Sequence, residues 1–364
     1  MSEMQEMIIE STTKIMEKFS TKEVINDAEN GLWAGELWNS LVEYGMLGVA
    51  VPEELGGCGG DYADALSILQ IAGRFSAPIP LAETYLANWI LAGYGESITD
   101  EIITIANFKD VQPVSFTKSG EGWIVSGQVN NVPWARFSEK ILVLGETGEG
   151  SVLALVNLAD AKVINGKNLA GEARDKVIFD GVFIEDCKVI SVDQDEAVKN
   201  VLYGGALTRS VMMAGALENI FDLTVQHTTE RTQFGRPLHR FQAVQHQLAL
   251  LAGEVAAADL AAKYAVNSYC KNPFSKEIAY SKIRVNEAAG KTNPIAHQVL
   301  AAIGFTYEHT LHHSTRRLWS WRDEFGTETD WELVVTEELL NMENNGLWSL
   351  ITGVTNNVKK VEVK

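Results

Sequence analysis

The segment Glu230-Arg231-Thr232-Gln233-Phe234-Gly235-Arg236-Pro237-Leu238-His239-Arg240-Phe241-Gln242 gathers several side chains able to do chemistry. Arg231 offers a forked donor suited to a phosphate, and Gln233 and Gln242 offer amides that can bond a ribose or a ring edge. Phe234-Gly235 and Pro237 break a helix and Phe241 restarts one, so these residues form a corner between helices. A plain helix turn with a surface arginine fits the same residues, and local chemistry alone leaves both readings open. His309, His312 and His313 invite a metal reading, with His309 and His313 at i, i+4 on one helix face. No HExxH pattern accompanies them, so a structural or surface role is expected and no metal site is assigned. Cys58, Cys187 and Cys270 are odd in number and form no CxxC. Cys187 and Cys270 lack a neighbouring base and read as buried thiols. Trp319, Trp321 and Trp331 lie at helical spacing and read as core or interface rather than as a pocket wall.

The elements that must position these groups fall into three parts. Up to residue 110, Ile8, Thr12, Ile15, Met16 and Phe19, then Trp38, Leu41, Val42 and Leu47, then Leu66, Leu69, Ala72 and Phe75 recur at helical spacing. Between them, residues 45–60 hold six glycines and a proline, which makes a loop; the spacing is not that of a dinucleotide-binding GxGxxG turn. Over residues 111–194 the period changes to short β-branched runs, such as Lys140-Ile141-Leu142-Val143-Leu144 and Val152-Leu153-Ala154-Leu155-Val156, separated by Gly-rich turns. A small β-barrel or sandwich is expected there. Over residues 195–364 two long stripes return, Leu207, Val211, Ala214, Leu217, Phe221, Val225 and Phe241, Val244, Leu248, Leu251, Val255, as in a four-helix bundle. The expected fold is α+β: an N-terminal helical domain, a middle β domain and a C-terminal bundle.

Composition excludes several classes. The 364 residues carry 30 Lys+Arg against 48 Asp+Glu, a net charge of −18, which opposes sequence-independent nucleic-acid binding. A chain of this size buries enough surface to fold without disulfides or metal. No run of about 18 apolar residues occurs and the start is acidic, so no membrane span or signal peptide is expected, and the default compartment is the cytoplasm.

Helices, a small β domain, and a bundle whose first corner reads RTQFGRPLHRFQ together resemble the acyl-CoA dehydrogenase family. MLGVAVPEELGG resembles its first-domain loop, and the stretch from His297 to Thr306 resembles its Gln-x-x-Gly-Gly-x-Gly segment. The resemblance covers nearly the whole chain in order. It implies FAD lying between the β domain and the bundle and reaching a neighbouring subunit. Arg231, Phe234 and Gln242 would contact FAD across that interface, and Gln298 to Ala302 would meet its adenosine end. Thr327, in the Gly-Thr pair, is carried over as a further cofactor contact. It also implies that a glutamate removes the proton α to a thioester while the flavin takes hydride from the β carbon. Acyl-CoA as substrate and electron-transfer flavoprotein as electron acceptor follow from the same resemblance.

Three departures stand out. The family base precedes Gly-Thr; here Phe325 occupies that position and Glu324 is one residue early, a step of about 100° on a helix. The second known base position, in a Leu-x-Glu-Arg pattern, matches Leu207-Thr208-Arg209, and Thr208 cannot deprotonate a carbon acid unaided. That offset means Glu324 is not automatically a substitute, and it is carried as the candidate base. The flavin-bonding loop looks shortened at residues 103–110, and Asn131-Val132-Pro133-Trp134 replaces the stretch that backs the flavin ring. Ala301-Ala302 replaces the paired glycines.

These departures, with the ending from Gly304 to Trp319, resemble one subunit of the heteromeric acyl-CoA dehydrogenases that handle bulky thioesters such as steroid side chains. In such pairs one subunit carries the base and the other lends the Arg and Gln side of the flavin site. A homo-oligomer, a non-catalytic partner and a flavin monooxygenase of the same fold are the alternatives. Arg316, Arg317 and Arg322 would face CoA phosphates, or else pair with Asp323, Glu324 or Glu328 on a solvated face.

Overall fold

The computed structural model describes residues 3–106, 114–341 and 347. Five helices come first: α1 (Glu3–Phe19), α2 (Lys22–Glu29), α3 (Gly35–Glu43), α4 (Tyr62–Arg74) and α5 (Leu81–Gly93). Their starts follow from capping chemistry. The Thr21 side chain accepts from the Val24 N–H, and Asp61 with Asp64 forms a reciprocal capping box at α4. Residues 45–60 form the expected loop, and at Gly57 a side chain would collide with the Val51 carbonyl. Helix α5 is buried from Leu81 to Leu91, Glu83 and Asn88 included, because it lies between the other helices and the sheet.

The sheet has eight strands: β1 (Ile103–Ile105), β2 (Val114–Ser119), β3 (Gly122–Pro133), β4 (Lys140–Glu146), β5 (Ser151–Asn157), β6 (Lys162–Ile164), β7 (Arg174–Glu185) and β8 (Val189–Val192). Their order is β6-β7-β3-β2-β4-β5-β8, with β1 parallel to β4. Val114, Phe116, Val125, Ile141, Val143, Val177 and Phe179 form a core of the sheet's own, while Leu142 and Leu153 point the other way into the helical core. That alternation is the period of two seen in the sequence. The sheet also takes in Ile103–Ile105, which the sequence reading placed with the helices. The three residues are too short a run to show a period, and parallel pairing with Lys140–Leu142 recruits them. Of the shortened loop, residues 107–110 lie outside the described residues.

The last part holds α6 (Gln194–Glu230), α7 (Gln242–Tyr269), α8 (Lys276–Leu300), α9 (Leu311–Asp323) and α10 (Glu328–Leu340). Leu207, Val211, Ala214, Leu217, Leu251 and Val255 are buried as the stripes require. Phe221, Val225, Phe241, Val244 and Leu248 are only half-buried, because they lie toward the corner between α6 and α7, where the bundle ends. Helix α6 crosses α4 closely: a side chain at Gly73 would meet the Met212 carbonyl, and one at Gly215 would meet that of Gln70. Each helix thus supplies the glycine that its partner's backbone approaches. No helix among the described residues is long and apolar enough to cross a membrane.

Candidate functional site

The corner between α6 and α7 is a short hairpin, β9 (Thr232–Gln233) paired with β10 (Arg236–Pro237). Its tip, Phe234 at φ 50° and Gly235 at φ 76°, is left-handed. Glycine tolerates that conformation; phenylalanine adopts it at a cost. Phe234 is nevertheless 93% exposed, with the Phe241 ring edge-on at 6.3 Å and the Arg236 guanidinium 4.1 Å from the centre of the Phe241 ring.

Beside the hairpin lies a cleft of about 890 Å³. Arg231, Gln298 and Ala302 line it together, although 67 residues separate Arg231 from Gln298 in sequence. Ala301 lines it too, at φ 54° and ψ −139°, a conformation nearly confined to glycine. The resemblance puts glycine there, so the chain has kept the backbone shape and lost the residue that adopts it freely. Ala301→Gly should therefore raise stability by about 1–3 kcal/mol in a urea titration; an unchanged midpoint would mean that the strain is absent. Gln242 opens α7 next to lining residues Ala243 and Val244 but does not itself line the cleft, and Phe234 stands outside it. Thr327 is elsewhere: its hydroxyl caps α10 by accepting from the Asp330 N–H and donating to the Asp330 carboxylate. That N-cap role accounts for Thr327 locally. His227, at the cleft wall, is held below the usual imidazole range first by burial and then by Arg231.

Phe325 and Thr208, at the positions where the resemblance expects a base, both lie in the interior. The Phe325 ring packs on Gly205, where any side chain would collide with it, and the Thr208 hydroxyl donates to the Gly205 carbonyl at 2.9 Å. The Arg209 guanidinium lies 5.6 Å from the centre of the Phe325 ring. Phe325 itself is at φ 55° and only 5% exposed. Phe325 and Thr208 are thus both buried against Gly205.

Glu324 is held beside them. Arg174 donates to its Oε1 through Nε at 2.9 Å and Nη2 at 2.5 Å, and Arg209 donates to Oε2 through Nε at 2.7 Å. Burial pushes its carboxyl up, but the two guanidinium groups outweigh burial and hold it at about 2. A carboxylate with both oxygens engaged and so low a pKa is a poor proton acceptor. The one-residue offset aims Glu324 at Arg174 and Arg209, an arrangement that does not favour the expected role of base.

The ion pairs continue in both directions. Arg209 reaches Glu83, and Arg174 reaches Glu172 at 3.2 Å. Glu172 pairs with Arg317 at 3.3 Å, Arg317 with Glu29 at 3.3 Å, and Glu29 with Arg316 at 2.6 Å. Signs alternate along Glu83, Arg209, Glu324, Arg174, Glu172, Arg317, Glu29 and Arg316, drawn from the first helices, the sheet and the bundle. Arg316 and Arg317 therefore pair with Glu29 and Glu172, not with acids on a solvated face; Arg322 does pair with Glu328, at 2.6 Å. Sequence reasoning missed Glu29, Glu83, Glu172, Arg174 and Arg209. A signal existed for two of them, since Glu83 and Arg209 are single charges inside apolar helices, where a charge survives only when paired.

The remaining candidates are structural. Trp321 and Trp331 are buried, donating from Nε1 to the Glu172 carboxylate and the Phe325 carbonyl, while Trp319 is 38% exposed. Trp134 is buried near Phe137. His309 precedes α9, so it shares no helix face with His313; its ring meets His227 edge-on instead. His313 bonds the Asn26 side chain. Cys270 is exposed, as is Cys58, because Cys270 sits at the open end of α7; the Cys187 side chain lies outside the described residues.

Comparison with known proteins places this architecture. Residues 2–99 match the family model for the acyl-CoA dehydrogenase N-terminal domain, and residues 196–328 match that for the C-terminal domain. The acyl-CoA dehydrogenase IpdE2 of Mycolicibacterium smegmatis is 27% identical over 316 residues, covering 85% of this chain and 91% of that protein. A chain of the ChsE4-ChsE5 complex from Mycobacterium tuberculosis superimposes with a TM-score of 0.85 at 22% identity, over 94% of this chain and 99% of that one. A chain of the Tcur3481-Tcur3483 steroid ACAD gives a TM-score of 0.82 at 23% identity, over 93% and 98%. The two domain matches, in order on either side of the central sheet, establish that the chain belongs to the acyl-CoA dehydrogenase family, whose members are flavin-dependent oxidoreductases acting on acyl-CoA.

Proposed function

We propose that this chain is a subunit of an FAD-dependent acyl-CoA dehydrogenase that desaturates the Cα–Cβ bond of an acyl-CoA, and that it lends its cleft to a flavin site shared with a second subunit. One contrast carries the reading. The cleft bordered by Arg231, Gln298 and Ala302 is open, whereas the base positions Phe325 and Thr208 are packed solid.

The donor set of the cleft fits a diphosphate joined to adenosine. Arg231 supplies the charge for phosphate, and Gln298 supplies an amide for the adenosine end. FAD, when bound, supplies hydride acceptance from Cβ. The exposed, strained Phe234 would be covered by the second subunit, with Gln242 at the start of α7 close behind it. Removal of the α proton falls to that second subunit, since neither Phe325 nor Thr208 can accept it. A bulky thioester is the preferred substrate class and a related but different chain the preferred partner, supported by likeness to a two-component complex and to a steroid ACAD. Electron-transfer flavoprotein then receives the electrons.

The test is the visible spectrum of the chain purified alone with added FAD, before and after anaerobic addition of mixed acyl-CoAs. A chain left colourless by gel filtration, which turns yellow only with a second subunit, is the expected result. Flavin that stays bound and bleaches with acyl-CoA would overturn the reading.

A further inference from the structure

Arg174 and Arg209 converge on a single carboxylate, and each also has other partners. Arg174, 9% exposed, donates from Nη1 to the Ala173 carbonyl at 2.8 Å, and its Nη2, which also reaches Glu324, bonds Glu172 at 3.2 Å. Arg209, 2% exposed, is held by Glu83 and by the Met212 sulfur at 3.4 Å from Nη1. Planar, buried guanidinium groups with such further partners make a preorganised anion receptor. Its occupant is Glu324, which takes three hydrogen bonds there.

The backbone bearing Glu324 has hydrogen-bond partners of its own. Buried Lys282 donates from Nζ to the Trp321 carbonyl at 3.0 Å and the Arg322 carbonyl at 2.9 Å, and Asn286 also donates to the latter. Trp331 donates to the Phe325 carbonyl at 3.0 Å. The turn after α9 is thus secured on both sides of residue 324. Cutting back the Glu324 side chain would empty the receptor without dismantling it.

We propose that Arg174 and Arg209 form a carboxylate receptor whose resident ligand is the chain's own Glu324, an internal ligand that joins the sheet to the helices where the reacting position of the fold is filled. The ligand class is a small carboxylate, which matches the hydrogen-bonding end of the glutamate. Removing Glu324 leaves two buried cations sharing less negative charge, so a free carboxylate that enters recovers an interaction chloride cannot reproduce in shape. The inference rests on the filled reacting position proposed above. It is read on the chain alone without flavin, so its failure leaves the shared-flavin reading to be decided by the spectrum.

The experiment is thermal unfolding of Glu324→Ala in sodium formate or acetate against sodium chloride at equal ionic strength. The variant should melt about 5 °C below the parent in chloride. Formate should restore part of that loss, saturating at millimolar concentrations. The parent chain, and Glu324→Ala combined with Arg174→Gln, should show no such response. Formate and chloride acting alike on Glu324→Ala would overturn the proposal. Should Glu324→Ala fail to accumulate folded, Glu324→Gln keeps the shape and removes the charge: a melting point clearly below the parent and unmoved by formate is expected, and one equal to the parent would overturn the proposal.

Discussion

Arg209→Met should lower the stability of the chain by about 3–5 kcal/mol in urea denaturation, because it leaves Glu83 and Glu324 without their shared cation. Glu83 is 3% exposed, so water cannot solvate the orphaned charge. The same substitution at the outer end of the series, Arg316→Met, should cost about 1 kcal/mol, since that side chain is 24% exposed. Equal losses at the two positions would mean that burial does not set the strength of these pairs. The pH dependence follows from Glu324. Its folded pKa, about 2, is depressed from 4.5. A depressed carboxyl stabilises the fold fully above the unfolded value and loses that contribution as pH falls toward the folded value. Stability should fall between about pH 4.5 and pH 2 by on the order of 3 kcal/mol from this group. Glu324→Gln should lack that component, and an unchanged acid limb in this variant would place its origin elsewhere.

Arg231→Ala in the assembled enzyme should weaken FAD binding about 10- to 100-fold, the loss of a charge-assisted contact of roughly 1.5–3 kcal/mol. Equilibrium dialysis of the complex against FAD measures it. Folding should be untouched, since Arg231 is exposed at the end of α6. Higher salt should narrow the gap between parent and variant, as screening weakens the arginine's attraction for the diphosphate. Full flavin occupancy at low FAD in the variant would remove Arg231 from the shared site.

The three-part order was legible because each part has its own period. Leu207, Val211, Ala214 and Leu217 repeat at helical spacing, whereas Ile141, Leu142 and Val143 alternate between two cores across the sheet. Strand β1 was not legible: Ile103–Ile105 has no period and owes its strand to a parallel neighbour. In the candidate site, Arg231 and the glutamines stood out because Phe234, Gly235 and Pro237 mark a corner, and corners present side chains outward. Gln298 and Ala302 needed the resemblance to be placed beside them, since nothing local joins α8 to the hairpin. Thr327 shows how one residue serves two readings: a threonine after glycine is both a motif and a helix cap, and here it caps α10.

Periodicity and residue identity are local properties, so the helices, most of the sheet and the absence of a glutamate at Phe325 and Thr208 could be read along the chain. The surroundings of Glu324 could not be read that way. A carboxylate's basicity depends on the charges within a few ångströms, and Arg174 and Arg209 lie 150 and 115 residues away in sequence. The alternating charges from Glu83 to Arg316 exist only after the helices and the sheet have met, since no stretch of chain contains them in that order.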